Sequence, residues 1–220
     1  MSIAELAARD NAEWCDTMCR AHGTGGAFAE RAWTSAVRTP PYYPDAVTLS
    51  PAATAADVLG VIDAGSGASV KDSFATLDLP GFDVLFEAQW IHHPAPVTRP
   101  SPVVWEEATP DTLPAWERAC FDGEMSGLFP AALLAEVSVL YGRIDGEPVC
   151  GCVLTPRERV VGVSNVFATG CDEDTVWAAV VAAAAARFPG RPVVGYERDP
   201  STALRHGFRT AGPLRVLLKG

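Results

Sequence analysis

Apolar residues recur at helical spacing near the start of the chain and in short runs after it. The spacing predicts a helix over roughly Ile3 to Ala21, which the glycine-rich segment His22-Gly23-Thr24-Gly25-Gly26 ends. Later patterns predict a strand, a helix and two strands, over 46–49, 55–64, 70–77 and 82–91. The last two are joined by Asp78-Leu79-Pro80-Gly81, whose turn chemistry predicts a β-hairpin.

A proline-rich segment interrupts these patterns. The stretch His93-Pro94-Ala95-Pro96-Val97-Thr98-Arg99-Pro100-Ser101-Pro102 favours an extended, stiff linker, because prolines disrupt both helices and central strands. We therefore predict an N-terminal lobe over 1–92, a linker over 93–102 and a second domain over 103–220.

The second domain alternates strands and helices in a definite order. The order is strand, two helices, three antiparallel strands, helix, strand, helix, strand. The predicted strands are 103–107, 137–143, 148–154, 160–168, 193–196 and 214–218. Helices are predicted over 109–120, from Pro130, and over 172–188 and 200–206. Asp145-Gly146 supplies the turn of a second hairpin.

Charge and composition exclude several classes of protein. The net charge is −10, which argues against a nucleic-acid surface, because phosphate contacts need clustered cations. The longest apolar run, Val176 to Ala186, is far shorter than the roughly 20 residues that span a bilayer. The first residues show no secretory signal. We therefore expect a cytoplasmic protein, with no membrane partner, whose six cysteines stay reduced.

Three segments of the second domain resemble the GNAT superfamily of acyl-CoA-dependent N-acyltransferases. Val161-Gly162-Val163-Ser164-Asn165-Val166-Phe167 is similar to the fourth strand of that family, and Val193-Val194-Gly195-Tyr196-Glu197 to its fifth. Ala203-Leu204-Arg205-His206-Gly207-Phe208 resembles its closing Gly-Phe segment. The order of elements over 103–220 is similar as well.

The resemblance implies an α+β fold with a mixed, mostly antiparallel sheet and flanking helices, preceded here by an N-terminal α+β lobe. It implies acetyl-CoA or another acyl-CoA as co-substrate, held in a V-shaped gap between the fourth and fifth strands. The pyrophosphate would lie at the N-terminus of the following helix, where backbone N–H groups are free. The implied cofactor-binding residues are Asn165, Val166, Phe167, Ala168, Gly170 and Cys171.

The loop that would hold the pyrophosphate departs from the family pattern. Of Thr169-Gly170-Cys171-Asp172-Glu173-Asp174-Thr175, only Gly170 matches the small residues usual there. The acids Asp172, Glu173 and Asp174 suit a helix N-terminus but would repel a pyrophosphate. Ala203 stands where the family often has a tyrosine that protonates the leaving thiolate. An alternative is therefore a catalytically inactive GNAT-like module that binds another ligand or a protein partner.

Three residues near the expected gap are the catalytic candidates. Glu197, at the end of the fifth strand, could deprotonate an amine directly or through water. Tyr196 or His206 could protonate the thiolate. Each also has a structural interpretation: Glu197 as a solvated partner of arginine, Tyr196 as a packed strand residue, and His206 as a stabiliser of a helix C-terminus.

Cysteines and aromatic residues offer weaker signals. Cys15, Cys19 and His22 share one helical face and could begin a zinc site, but apolar neighbours favour a core, and we predict no metal. Cys171 is the one thiol to test for reactivity, since helix N-termini lower the pKa of thiols. An aromatic set could line a substrate pocket or form core: Trp33, Tyr42, Tyr43, Trp90 and Trp105.

The leading hypothesis is an N-acetyltransferase, which moves an acyl group from acyl-CoA to a primary amine by direct attack. The acceptor is a small-molecule amine or a protein amine. The acidic net charge would favour a cationic acceptor by electrostatic steering. A homodimer, the commonest closed assembly, is the oligomer to test first.

Overall fold

The computed structural model describes all 220 residues and divides them into two compact units. Unit 1 comprises Met1–Trp90, Tyr196–Asp199 and Ala211–Gly220, and unit 2 comprises Ile91–Gly195 and Pro200–Thr210. Neither unit is continuous in sequence, whereas 103–220 was expected to form one domain. The predicted domain boundaries stay a prediction.

Five α-helices, one 3-10 helix and eleven strands make up the chain. The α-helices are α1 (Ile3–Ala21), α2 (Ala55–Leu59), α3 (Leu113–Cys120), α4 (Glu173–Arg187) and α5 (Ser201–Arg205), and the 3-10 helix is Ala131–Ala135. The strands of the first ninety-three residues are β1 (Ala27–Phe28), β2 (Ala32–Thr34), β3 (Ala46–Thr48), β4 (Ser69–Asp72) and β5 (Phe82–His93). The later strands are β6 (Val104–Glu107), β7 (Ser138–Ile144), β8 (Glu147–Pro156), β9 (Val161–Ala168), β10 (Val193–Glu197) and β11 (Arg209–Lys219). No helix is long and apolar enough to cross a membrane.

The first helix lies where the sequence predicts it. Ser2 caps α1: its hydroxyl accepts a hydrogen bond from the Glu5 N–H at 3.2 Å, and the Glu5 carboxylate accepts one from the Ser2 N–H at 2.6 Å. This reciprocal pair satisfies two N–H groups that a helix start leaves free. One face of α1 is buried through residues such as Ala8, Cys15 and Met18.

The strands of unit 1 follow the order β1-β2-β3-β4-β11-β5. β3 and β4 are parallel, and β4 and β11 are antiparallel. The predicted hairpin of 70–77 with 82–91 is wrong, because β11 lies between those two segments. The strand ends at Asp72, whose carboxylate accepts a hydrogen bond from the Leu77 N–H at 2.8 Å and pairs with Arg215 of β11 at 3.1 Å.

The strands of unit 2 follow the order β10-β9-β8-β7-β6. The β7–β8 hairpin is confirmed, and both of its turn residues, Asp145 and Gly146, have positive φ. β9 is antiparallel to β8 and parallel to β10. α4 buries most of its length in the core of this unit, including Trp177 and the alanines from 182 to 185. The mixed, mostly antiparallel sheet with flanking helices is the predicted α+β class.

Candidate functional site

A β-bulge interrupts the pairing of β9 with β8. Gly151 pairs with Phe167 and Val153 with Ser164, so Cys152 alone faces both Asn165 and Val166. Asn165 has a φ of 52°, in the left-handed region that asparagine tolerates better than most residues. A bulge of this kind bends its strand and increases the local twist.

β9 and β10 pair over only two positions. Val161 pairs with Val193 and Gly162 with Val194, although β9 continues to Ala168. At the next residue of β10, a Cβ built on Gly195 would lie 2.7 Å from the Val163 carbonyl oxygen, so only glycine fits there. Beyond this contact the backbone of β9 has no ladder with β10, and its residues are partly exposed. Residues 164–168 of β9 therefore have no ladder partner on the β10 side.

Side chains around the bulge position this part of β9. The Asn165 side-chain amide donates to Cys120 Sγ at 3.6 Å, and burial raises the pKa of that thiol to about 12. The Phe167 ring packs edge-on to Trp116 at 5.4 Å, in space that a Cβ on Gly151 would fill. Ser164 Oγ is buried without a hydrogen-bond partner. The Phe167 side chain therefore serves packing, and its backbone is the part left for a ligand.

The loop after β9 uses its N–H groups internally. The N–H groups of Thr169 and Gly170 both donate to the Val149 carbonyl oxygen, at 2.8 and 3.1 Å. Cys171 Sγ contacts the same oxygen at 3.7 Å. Burial raises the pKa of Cys171, the opposite of the lowering expected from a helix N-terminus. The pKa lowering that made Cys171 the thiol to test is absent, because Cys171 precedes the helix and lies against β8.

The three acids of the loop all have structural partners. Asp172 caps α4, accepting from the Thr175 N–H at 2.7 Å, and Glu173 accepts from the Thr202 hydroxyl at 3.0 Å. The contacts of Asp174 involve α5 and the residue after it. Its carboxylate binds Arg205 Nη2 at 2.7 Å and His206 Nε2 at 2.9 Å. These hydrogen bonds lower the pKa of Asp174 to about 2.

Solved structures share this arrangement of strands and helices. A GCN5-related N-acetyltransferase from Kribbella flavida is similar over 100% of this chain and 96% of its own, with a TM-score of 0.69 and 15% identity. A Novosphingobium aromaticivorans protein assigned to the GNAT family as an acetyltransferase gives a TM-score of 0.56 at 16% identity, over 97% of this chain and 99% of its own. A GCN5-related N-acetyltransferase from Sphaerobacter thermophilus gives 0.51 at 12% identity, over 72% and 62%.

The chain has the GNAT fold. No protein-family model and no curated protein matches the sequence. The likeness to these structures therefore establishes the fold, which confirms the fold implied by the resemblance of the β9 and β10 segments.

The catalytic candidates occupy different places in this GNAT fold. Tyr196 and Glu197 are the last two residues of β10, both half-buried, and belong to unit 1. Tyr196 packs edge-on to Trp90 with ring centroids 5.7 Å apart. His206 belongs to unit 2, where it is held by Asp174 beside the start of α4.

Unit 1 contains a cavity of about 560 Å³ that the sequence did not reveal. The segment 38–44 forms one wall, and β4, β5, β10 and β11 supply the rest. The lining residues central to its chemistry are Arg38, Tyr43, Lys71, Phe86 and Tyr196. Lys71 is 4% exposed; its ammonium lies 2.8 Å from Asn11 Oδ1 and 4.1 Å from the centroid of the Tyr196 ring. In the sequence, the signal for this cavity was Lys71, a charged residue within an apolar strand pattern.

The predicted aromatic set is divided among several environments. Tyr42 and Tyr43 line the cavity, whereas Trp90 does not line it and packs edge-on against Tyr196. Trp33 is fully buried against Gly26. Trp105 belongs to unit 2, where its indole N–H donates to the Ala179 carbonyl at 3.1 Å.

The helical cysteines are part of the core of unit 1. Cys15 and Cys19 are buried, and burial raises their pKa values to about 11 and about 12. No group of three or more His, Cys, Asp or Glu side chains has an arrangement that could hold a metal ion. The burial of Cys15 and Cys19 gives these two thiols a packing role.

Proposed function

We propose that this protein transfers an acyl group from acyl-CoA to an amine. The observation that carries the proposal is the bulge at Asn165 together with the early end of the β9–β10 ladder, within a GNAT fold. Free backbone groups of 165–168 would pair with the amides of the pantetheine arm. A slot of this kind holds a linear ligand through main-chain hydrogen bonds, as an added strand does.

In the proposed reaction the amine nitrogen attacks the thioester carbonyl carbon. A C–N bond forms, the C–S bond breaks, and the amine loses a proton while the CoA thiolate gains one. Glu197 is the proposed base or water-positioning group, since it is the last residue of β10, the strand that pairs with β9. Tyr196 is the proposed acid. His206 is the second candidate acid, although its Nε2 is occupied by Asp174.

The phosphate loop favours a second candidate function. Two of its N–H groups already donate hydrogen bonds to the Val149 carbonyl oxygen, and three acids lie at the start of α4. The loop therefore has few free donors for a pyrophosphate and carries charges that repel it. This arrangement suits a catalytically inactive GNAT-like module that binds another ligand or a protein partner. The two functions differ in a measurable property, the affinity for CoA.

The test compares two substitutions at the bulge. Asn165→Gly keeps access to the left-handed conformation, whereas Asn165→Val disfavours it strongly, and both remove the contact with Cys120. We expect the wild type and Asn165→Gly to bind acetyl-CoA by isothermal titration, and Asn165→Val to bind at least about tenfold more weakly. No binding of CoA, acetyl-CoA or longer acyl-CoAs to the wild type at millimolar concentration would contradict the transferase and favour the inactive module.

Charge at the loop provides a second comparison. Glu173→Gln removes one acid and leaves the Asp172 cap of α4 intact. If acyl-CoA binds there, the affinity should rise, because one repulsive charge is gone. Glu158→Gln is the matched control, because Glu158 is an exposed acid of the same unit. Equal effects of the two variants would mean that the loop is not the phosphate site.

A further inference from the structure

The cavity of unit 1 contains a buried cation with no anionic partner. Lys71 donates to the neutral amide oxygen of Asn11 and faces the Tyr196 ring, and it forms no ion pair. An ammonium has three N–H donors, so at least one is left for a ligand. The nearby Cys15 thiol stays neutral at pH 7, because its pKa is raised to about 11. A buried charge without a counter-charge is costly, and a bound anion would remove that cost.

The lining of the cavity has no negative charge. Its charged residues are Arg38 and Lys71, and no aspartate or glutamate lines it. Arg38 is already paired with the buried carboxylate of Asp45. The Tyr196 ring also lines the cavity, with its centroid 4.1 Å from the Lys71 ammonium. The polar part of the cavity therefore suits a single, compact anionic group.

The remaining walls are apolar or aromatic. Beside the small residues Thr39, Gly67 and Ser69, they include Tyr43, Leu85 and Phe86. A volume of about 560 Å³ lies within the ~300–1,000 Å³ range of small-molecule sites. A ligand that fills it needs an apolar body beside its charge, since walls of this kind give most of their binding by excluding water.

One wall is fixed before any ligand arrives. Asp45 accepts hydrogen bonds from the N–H groups of Thr39 and Ser69, at 3.0 and 2.9 Å, and pairs with Arg38. The Thr39 hydroxyl binds the Tyr43 carbonyl, which closes the 39–43 turn. A wall that is already ordered reduces the entropy lost on binding.

We propose that this cavity binds a small organic carboxylate with an aromatic or apolar body, whose carboxylate pairs with the Lys71 ammonium. The site is defined by residues of unit 1 alone and does not depend on acyl transfer. An amine that also carries a carboxylate would satisfy both this site and the transferase, and that extension rests on the proposed function.

The test uses three probes of one shape and different charge. Phenylacetate, phenylacetamide and phenethylamine present an anion, a neutral amide and a cation on the same ring. We expect isothermal titration to show phenylacetate binding at least about tenfold more tightly than phenylacetamide, and phenethylamine most weakly. Equal or tighter binding of the amide or the amine would overturn the proposal. The proposal would also fail if none of acetate, phenylacetate and indole-3-acetate bound at 10 mM. Inorganic phosphate binding as tightly as phenylacetate would contradict it too.

The chain has two lysines, which provides a matched control. Lys71→Met should reduce phenylacetate affinity at least about tenfold, and Lys219→Met should leave it unchanged, since Lys219 lies over Phe82 outside the cavity. Incorporating lysine labelled with carbon-13 at Cε gives two signals, which the Lys219 variant assigns. Phenylacetate should shift the Lys71 signal. A shift of the Lys219 signal alone, or full affinity in Lys71→Met, would refute the site.

A second pair of variants covers the case in which Lys71→Met fails to fold. Leu85 lines the cavity and is 56% exposed, whereas its neighbour Val84 is 49% exposed and does not line it. Leu85→Trp should narrow the cavity and weaken phenylacetate binding, and Val84→Trp should not. Identical affinities in the two variants would place the probe elsewhere. Acetyl-CoA binding measured on the same samples tests the transferase separately.

Discussion

Replacing Asp45 with asparagine should destabilise unit 1 strongly. The Asp45 carboxylate is buried, and each of its oxygens accepts a backbone N–H, from Thr39 at 3.0 Å and from Ser69 at 2.9 Å. In either orientation an asparagine amide turns its NH₂ towards one of these donors. One hydrogen bond to a charged group, about 1.5–3 kcal/mol, is lost, and the opposed donors add about 1–3 kcal/mol. We expect a total of about 3–5 kcal/mol, with a smaller share from Arg38, whose side chain is 36% exposed.

Urea unfolding followed by fluorescence measures this change in the free energy of unfolding. The melting temperature should fall by roughly 6–20 °C for a chain of this size. Asp63→Asn is the control, since Asp63 lies 3.7 Å from the same Arg38 but is 66% exposed. That variant should change stability by less than about 0.5 kcal/mol. Asp45→Asn costing under about 1 kcal/mol, or Asp63→Asn costing as much, would refute the assigned role of the buried carboxylate.

Two further predictions concern unit 2. Glu117 is buried, and its carboxylate accepts hydrogen bonds from the N–H groups of Gly127, Leu128 and Phe129. Glu117→Gln should therefore lower the free energy of unfolding in urea by about 2–4 kcal/mol and speed hydrogen exchange at 127–129. Unchanged exchange at these residues would contradict the assigned role of Glu117. The lowered pKa of Asp174, about 2 against its ordinary 3.8, means that its contribution is present above pH 4 and is lost as the pH falls through about 2. The difference in melting temperature between the wild type and Asp174→Asn should therefore close between pH 5 and pH 2, and a difference independent of pH would argue against the ion pair.

Elements specified by local chemistry were predictable from the sequence. α1 has the predicted bounds because its start carries a capping pair and glycines follow its end. The β7–β8 hairpin follows from Asp145-Gly146, whose positive φ values suit the turn. The order of elements in 103–220 depends on such local signals, and it was sufficient to indicate the GNAT fold.

The hairpin predicted for 70–77 with 82–91 shows what local sequence signals cannot determine. The turn chemistry at 78–81 is real, since the Phe82 N–H binds the Leu79 carbonyl. A strand from the far end of the chain nevertheless enters between β4 and β5, and Arg215 of that strand holds Asp72. Partners 143 residues apart leave no mark in the spacing of either segment. Pattern analysis assigns strands but does not choose their neighbours.

The two candidate sites differ in what the sequence could reveal of them. The unpaired stretch of β9 had a signal in Asn165, a polar residue in an apolar strand and a type that tolerates positive φ. The cavity had only Lys71. The net charge of −10 pointed towards a cationic acceptor, yet the cavity wall has two cations and no acid. Net charge governs the field at long range, where salt screens it, whereas a buried site responds to the few groups that face it. Lys71 and its aromatic neighbours should therefore determine the ligand of unit 1 and select an anion, although the net charge of the protein is negative.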